Sequence, residues 1–228
     1  MRGDSRIPEE WEELGGRVRA ARSVVLEGLG VRGGLALRQP GVEVGVEREE
    51  ALRCLGSAHR GVQEALGLGG RGMCLAEQVH GAEVAVVSEG GMSGGVDGLV
   101  SGEPGVCLGI YVADCCAVYL VDVRRRVIGL VHSGAKGTRL GVVPAALAVM
   151  ERDFGCVGSD VVAVLSPCIR PPRYEVDFAA EIRAQCAGRG VRQVHDSGAC
   201  TGSDLERYYS YRMEKGRTGR MLALLGLR

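Results

Sequence analysis

Residues 104–138 read PGVCLGIYVADCCAVYLVDVRRRVIGLVHSGAKGT, and this stretch decides the fold. GVCLGIYVADCCAVYLVD is one long apolar run rich in β-branched residues, and VIGLVH has the continuous apolar character of a strand covered on both faces. Between them Arg124 to Arg126 form a basic turn, read as a solvated hairpin tip. SGAKGT then breaks the strand. Residues 141–153 take up a helical pattern, with Pro144 placed in the first turn or at a kink. Working outward, MCLAEQVH and AEVAVVS read as strands separated by Gly81, and VVAVLSP as another buried strand. Residues 47–66 carry Ala51, Leu52, Leu55, Val62 and Leu66 at helical spacing and stop at a glycine-rich segment. Residues 177–187 read as a short helix, and 1–22 as a polar helix or loose lead-in. Strands and helices alternate without repeats or linkers, which predicts one α/β domain over 1–228.

Composition narrows the functional classes. The 228 residues are 46% hydrophobic, enough for a sizeable core, and 37 glycines against seven prolines indicate tight turns. Net charge is zero, so no electrostatic case exists for nucleic acid or an anionic membrane. Aromatics at 4% are too few for a base-stacking surface. No apolar stretch is long enough to span a bilayer, and MRGDSRIPEEWEE lacks the apolar centre of a signal peptide. Nine cysteines without a C-x-x-C pair argue against a disulfide framework or a zinc ribbon. A cytoplasmic, reduced protein is expected, with most thiols acting as small buried hydrophobes. Cys107 and Cys116 are read in this way.

Chemistry concentrates in three residues. Two of the four histidines, His80 in QVHG and His132 in LVHSG, accompany Cys115 in ADCC. His80 is read at the end of a strand, and His132 at a strand-to-helix turn of the sort where α/β sites collect. Two imidazoles and a thiolate can hold zinc with a fourth position free. The same atoms can also form a Cys-His nucleophilic pair. Lys136, one of only two lysines, stands beside this turn as a candidate cation. The three residues are 35 and 17 positions apart, so local spacing does not choose between the two chemistries. Asp97 reads as a turn cap or an orienting neighbour with a structural role. Asp114 could orient a metal ligand or stabilise a turn. His195 is expected to be exposed.

Six blocks follow one another in a known order: QVHG (78–81), VDGLVS (96–101), PGVCLGIYVADC (104–115), GLVHSGAKGT (129–138), LSPCI…YEV (165–176) and CTGSDLERYYSYRMEKGRTGR (200–220). Over 73–228 the chain resembles the YfiH-like family, also labelled laccase-domain or multicopper polyphenol oxidase, whose members are regarded as purine nucleoside phosphorylases with adenosine deaminase activity. Before residue 73 only Arg32-Gly33-Gly34 and Ala58-His59-Arg60 echo family segments. The resemblance implies a layered α/β/β/α sandwich with mixed sheets and zinc held by His80, Cys115 and His132. It also implies a purine nucleoside and phosphate as substrates. Lys136 or Arg212 could hold that phosphate, an assignment made from their charge and not carried over from a family motif. Cys115, His132 and Lys136 are the expected catalytic positions.

The chain also departs from the family's wording. The usual H-A-G-W-R-G is His132-Ser-Gly-Ala-Lys-Gly137, so Ala135 replaces a tryptophan and Lys136 an arginine. The usual proline after A-D-C-x is Ala117, and the usual glycine before the Pro-x-Ile block is Ser166. The segment between 177 and 199 looks short for the helix the family carries there. Three other readings stand beside the leading one: a copper-dependent phenol oxidase, a hydrolase using Cys115 and His132, and a zinc-stabilised binding protein without turnover.

Overall fold

The computed structural model describes residues 10–228. In chain order its elements are β1 (Trp11–Leu14), β2 (Ala20–Ser23), α1 (Val24–Gly28), β3 (Val31–Ala36), α2 (Arg48–Ala65) and β4 (Gly72–Ala76). There follow β5 (Val84–Val86), β6 (Gly91–Ser93), β7 (Gly98–Ser101), β8 (Val106–Val112), β9 (Cys116–Asp122) and β10 (Val127–Ser133). The remainder are α3 (Ala135–Arg139), α4 (Val142–Phe154), β11 (Val161–Leu165), α5 (Phe178–Gly188), β12 (Gln193–Asp196) and β13 (Met221–Leu227).

The strands form two mixed sheets. The first has the order β1-β2-β3-β13-β8-β4-β6, and the second β12-β11-β9-β10-β7-β5. Side-chain alternation explains the layering. On β9, Ala117, Tyr119 and Val121 point into a core shared with Leu108, Ile110, Ala223 and Leu225 of the first sheet. Val118 and Leu120 point the other way, onto Leu147 and Met150 of α4 and Ile182 of α5. Leu222 and Leu224 of β13 meet Val62 of α2 on the outer face of the first sheet. The result is α/β/β/α, the expected sandwich. Continuous apolar runs occur because these strands are covered on both faces.

One long apolar run therefore becomes two strands in two sheets. β8 lies in the first and β9 in the second, and Ala113, Asp114 and Cys115 make the crossing. Asp114 turns the chain with φ of 84°. Its carboxylate accepts from the Thr201 hydroxyl and the Arg212 N–H, both at 2.7 Å. Asp114 thus stabilises the turn and ties down the 201–212 segment, which settles the choice between its two expected roles. The sheets are also joined by Tyr119, whose hydroxyl donates to the Gly34 carbonyl at 2.7 Å. A Cβ on Gly34 would lie 2.4 Å from the Ala21 carbonyl oxygen, so only glycine fits there.

Several sequence expectations need correction. Residues 1–9 lie outside the described residues, but from Trp11 the expected lead-in is an antiparallel hairpin of β1 and β2. Its polar pattern arises because one face is solvated, with Arg22 paired to Glu12 at 2.6 Å. The strand ending at His80 is shorter than expected: β4 stops at Ala76, and His80 stands in the following loop. His195 is half-buried on β12, with Nδ1 3.0 Å from Glu10 Oε1. The segment after Val176 does hold a helix, the eleven-residue α5, capped by Asp177 accepting from the Ala180 N–H. Pro144 sits in the first turn of α4, without a kink to explain. Arg124 to Arg126 lie at the tip of the β9–β10 hairpin, as their charge suggested. Among the described residues no helix is long and apolar enough to cross a membrane.

Candidate metal centre

Three connections bring three distant residues together. Cys115 closes the crossing between the sheets, His132 lies near the end of β10, and His80 stands in the loop after β4. Their ligand atoms all lie within 4.8 Å of one another. The two imidazoles meet edge to face, with ring centroids 4.8 Å apart at 81°. His80 is exposed, Cys115 half-buried and His132 buried, so the cluster opens to solvent on the His80 side. Among the described residues it is the one group of three or more His, Cys, Asp or Glu side chains so arranged.

The loop carrying His80 is held in two places. The Gln78 side chain imitates a strand neighbour, donating to the Tyr111 carbonyl at 2.7 Å and accepting the Tyr111 N–H at 2.8 Å. The Asp97 carboxylate accepts from the N–H groups of Val79 (3.1 Å), His80 (3.0 Å) and Gly81 (2.6 Å). His80 has φ of 59°, a left-handed conformation costing about 1–2 kcal/mol. Hydrogen bonds to a charged acceptor, about 1.5–3 kcal/mol each, outweigh that cost. Asp97 also contacts Nδ1 of His132 at 2.7 Å. It is completely buried, and sequence reasoning underrated it. The signal available was the carboxylate in VDGLVS, the only acid in that apolar block.

Electrostatics bind the group together. Burial alone would push the Cys115 thiol up, but the His132 charge and hydrogen bonds from His132 and His80 outweigh it and bring the pKa to about 6. Burial would lower His132, yet Cys115 and Asp97 raise it to about 9. Burial would raise Asp97, while bonds from His132 and the loop amides hold it at about 2. Without a metal, neutral pH therefore favours a Cys115 thiolate beside a His132 imidazolium. Cys107 behaves oppositely, with burial pushing its thiol up to about 12, and Cys116 is likewise raised by burial. Both are packing residues, as expected.

The donor set suits one metal ion. Ligand atoms around tetrahedral zinc stand roughly 3.3–3.8 Å apart, so the trio needs only a contraction of about 1 Å to close on an ion. Nδ1 of His132 faces Asp97, which leaves Nε2 for coordination. Space for the sulfur comes from Gly134, where a Cβ would sit 2.4 Å from Cys115 Sγ.

The expected phosphate ligands are placed differently from one another. Lys136 is exposed on α3 and makes no ion pair among the described residues. Arg212 is committed to Glu175 at 3.1 Å and lies over the Tyr174 ring at 5.4 Å. The sequence reading missed Arg220. Pairing of Met221 with Val112 sets Arg220 across from Ala113, beside the Cys115 turn. Its guanidinium donates to the Thr218 and Gly219 carbonyls and stacks over Tyr211 at 5.6 Å. Burial and the charge of Arg48 lower its proton affinity.

Residues 39–188 and 176–228 match the family described as multi-copper polyphenol oxidoreductase laccase. The chain belongs to this family. Among similar proteins, purine nucleoside phosphorylase YlmD of Geobacillus stearothermophilus is 27% identical over 86% of this chain and 86% of its own length. A purine nucleoside phosphorylase of Deinococcus radiodurans is 35% identical over 72% of this chain and 73% of its own. The solved structure of YlmD from Geobacillus stearothermophilus superposes with a TM-score of 0.87 over 97% of this chain and all of that one, at 24% identity. YfiH of Bacillus licheniformis gives 0.82 over 96% of this chain and all of that one, at 20% identity. These structural likenesses establish a fold of the YlmD and YfiH type.

Proposed function

We propose that this protein is a purine nucleoside phosphorylase whose active site holds one zinc ion on His80, Cys115 and His132. The observation that carries the reading is the convergence of these donor atoms within 4.8 Å, open to solvent on one side. The relatives named purine nucleoside phosphorylase support the substrate class. Two nitrogens, one sulfur and a free position are the pattern of catalytic zinc. When bound, zinc would supply Lewis-acid polarisation and lower the pKa of a water, the chemistry an accompanying adenosine deaminase activity needs.

In phosphorolysis an oxygen of inorganic phosphate attacks C1′ of the ribose. The C1′–N bond breaks, the base leaves with the electron pair and takes up a proton, and the sugar 1-phosphate remains. The protein's part is to hold the anion and orient it for attack. Lys136, on α3 just after His132, and Arg220, beside Cys115, are the cations we assign to the phosphate. Lysine at 136 gives a point charge where the family's arginine would give a bidentate fork. Arg212, already shared with Glu175, is the weaker candidate.

Two further readings rest on particular observations. Cys115, His132 and Asp97 have the order of a nucleophile, a base and an orienting acid, which a metal-free cysteine hydrolase would use. The family's description names copper, but of the four histidines His59 is committed to the Arg220 carbonyl and His195 to Glu10. That leaves donors for one mononuclear site, too few for multi-copper oxidation.

The deciding experiment incubates the purified, zinc-loaded protein with inosine or adenosine and phosphate. Chromatography should show free base and sugar 1-phosphate, both dependent on phosphate. No free base at high enzyme concentration sinks the reading. Elemental analysis separates zinc from copper. Cys115→Ser should lose metal and activity together, whereas a metal-free hydrolase would lose activity with no bound metal in either the wild type or the variant.

A further inference from the structure

One carboxylate reaches both histidines of the trio. Asp97 Oδ1 contacts Nδ1 of His132 at 2.7 Å and accepts the His80 N–H at 3.0 Å, while Oδ2 accepts from Gly81 at 2.6 Å and Val79 at 3.1 Å. The backbone of the same residue adds to the link, because the Asp97 carbonyl accepts the His132 N–H at 2.7 Å. The Asp97 N–H in turn donates to the Glu83 carbonyl at 2.9 Å, so the loop bearing His80 is gripped at both ends by one residue. Asp97 directly precedes β7, which lies between β10 and β5 in the second sheet, and it is completely buried.

We propose that Asp97 is a positioning residue that assembles the site before any metal arrives. The inference rests on reading His80, Cys115 and His132 as metal ligands. A plain loop cap would need only the three amides. The bond to His132 goes further, since it turns the ring so that Nε2 is left for coordination. His80 lies 52 positions from His132, outside any strand and in a left-handed conformation. Without an external anchor nothing local would hold its ring at 4.8 Å from the other. Asp97 supplies that anchor from the sheet that carries His132, so both histidines are fixed relative to one rigid body. The carboxylate charge also makes the imidazole a better donor to a cation.

The test uses Co(II) as a spectroscopic probe in place of zinc. Asp97→Asn keeps the shape of the side chain but puts an NH2 where N–H donors converge. We expect Co(II) affinity, read by chelator competition, to fall 10- to 100-fold, as losses of such orienting partners do. The thiolate-to-cobalt and d–d bands should change as well, with the far-UV circular dichroism unaltered. In the metal-free wild type the amides of Val79, His80 and Gly81 should already resist hydrogen exchange, and in D97N they should not. D97N binding Co(II) within twofold of wild type, with the same bands, overturns the proposal. So do wild-type amides 79–81 that exchange freely until cobalt is added. Should D97N not fold, that exchange measurement on the wild type decides alone. Wild type that binds no Co(II) while 79–81 stay protected overturns the metal-ligand reading and leaves the assembly role of Asp97 standing.

Discussion

The Ser166 hydroxyl accepts the Ala117 N–H at 2.9 Å, and the Ala117 carbonyl accepts the Ser166 N–H at 3.0 Å. These are two of the positions at which the chain departs from the family's wording. A proline at 117 would have no N–H to satisfy, and a glycine at 166 no hydroxyl to offer. Alanine at 117 brings a buried donor, and serine at 166 brings the acceptor it needs. Ala117 and Ser166 thus satisfy each other's buried polar groups.

Ser166→Ala should therefore destabilise the protein by about 1–3 kcal/mol, the cost of leaving a buried N–H without a partner. Adding Ala117→Pro should recover part of the loss by removing that donor. A double-mutant cycle in urea measures the coupling. Strictly additive effects would show that the two residues do not depend on one another.

Gly134→Ala acts on the sulfur of Cys115. The backbone there is extended, with φ of −102°, so alanine is conformationally acceptable. Its Cβ, however, would fall 2.4 Å from Cys115 Sγ, and the side chain must move. Displacement of a reacting group by about 1 Å can cost on the order of 10²-fold in rate. We expect kcat/KM for phosphorolysis to fall by that order, with metal affinity falling too, while the thermal midpoint changes little. Unchanged metal affinity would contradict the placement of Cys115 as a ligand.

His59 makes stability depend on pH. Its ring is buried on α2 against Tyr111, with Nε2 donating to the Arg220 carbonyl at 3.0 Å and Nδ1 lacking a hydrogen-bond partner. Burial outweighs that carbonyl and pushes the pKa down to about 4. The unfolded chain binds a proton near pH 6.5, before the folded chain does. Stability is thus full above pH 6.5 and declines as pH falls towards 4, by about 3 kcal/mol from this residue. Urea unfolding at pH 7 and pH 4.5 reads the slope. His59→Gln, which keeps a donor for Arg220, should flatten it.

Tyr119→Phe removes the hydroxyl that joins the sheets. It should cost about 1–3 kcal/mol by leaving the Gly34 carbonyl buried without its donor. Metal content should not change, because Tyr119 does not touch the trio. Loss of metal in this variant would mean that the spacing of the sheets sets the site.

Sequence by itself determined most of the architecture and the identity of the metal-site candidates. Runs such as VIGLV and VVAVL are apolar at every position because their strands are covered on both faces, and that pattern is legible locally. The ordered blocks added the family and the layered sandwich. Tertiary structure decided what depends on partners distant in the chain. Nothing in ADCC says that the chain changes sheets there, since the apolar character runs unbroken through the turn. The hairpin of β1 and β2 was hidden because strands with one solvated face read as polar. Asp97 looked like a turn cap, for its second bond, to His132, spans 35 residues. Arg220 entered the picture only through the register of β13 on β8. Residue types and local periodicity are written in the sequence, but which side chains share a few ångströms is fixed by sheet pairing, and that pairing placed His80, Cys115 and His132 around one point.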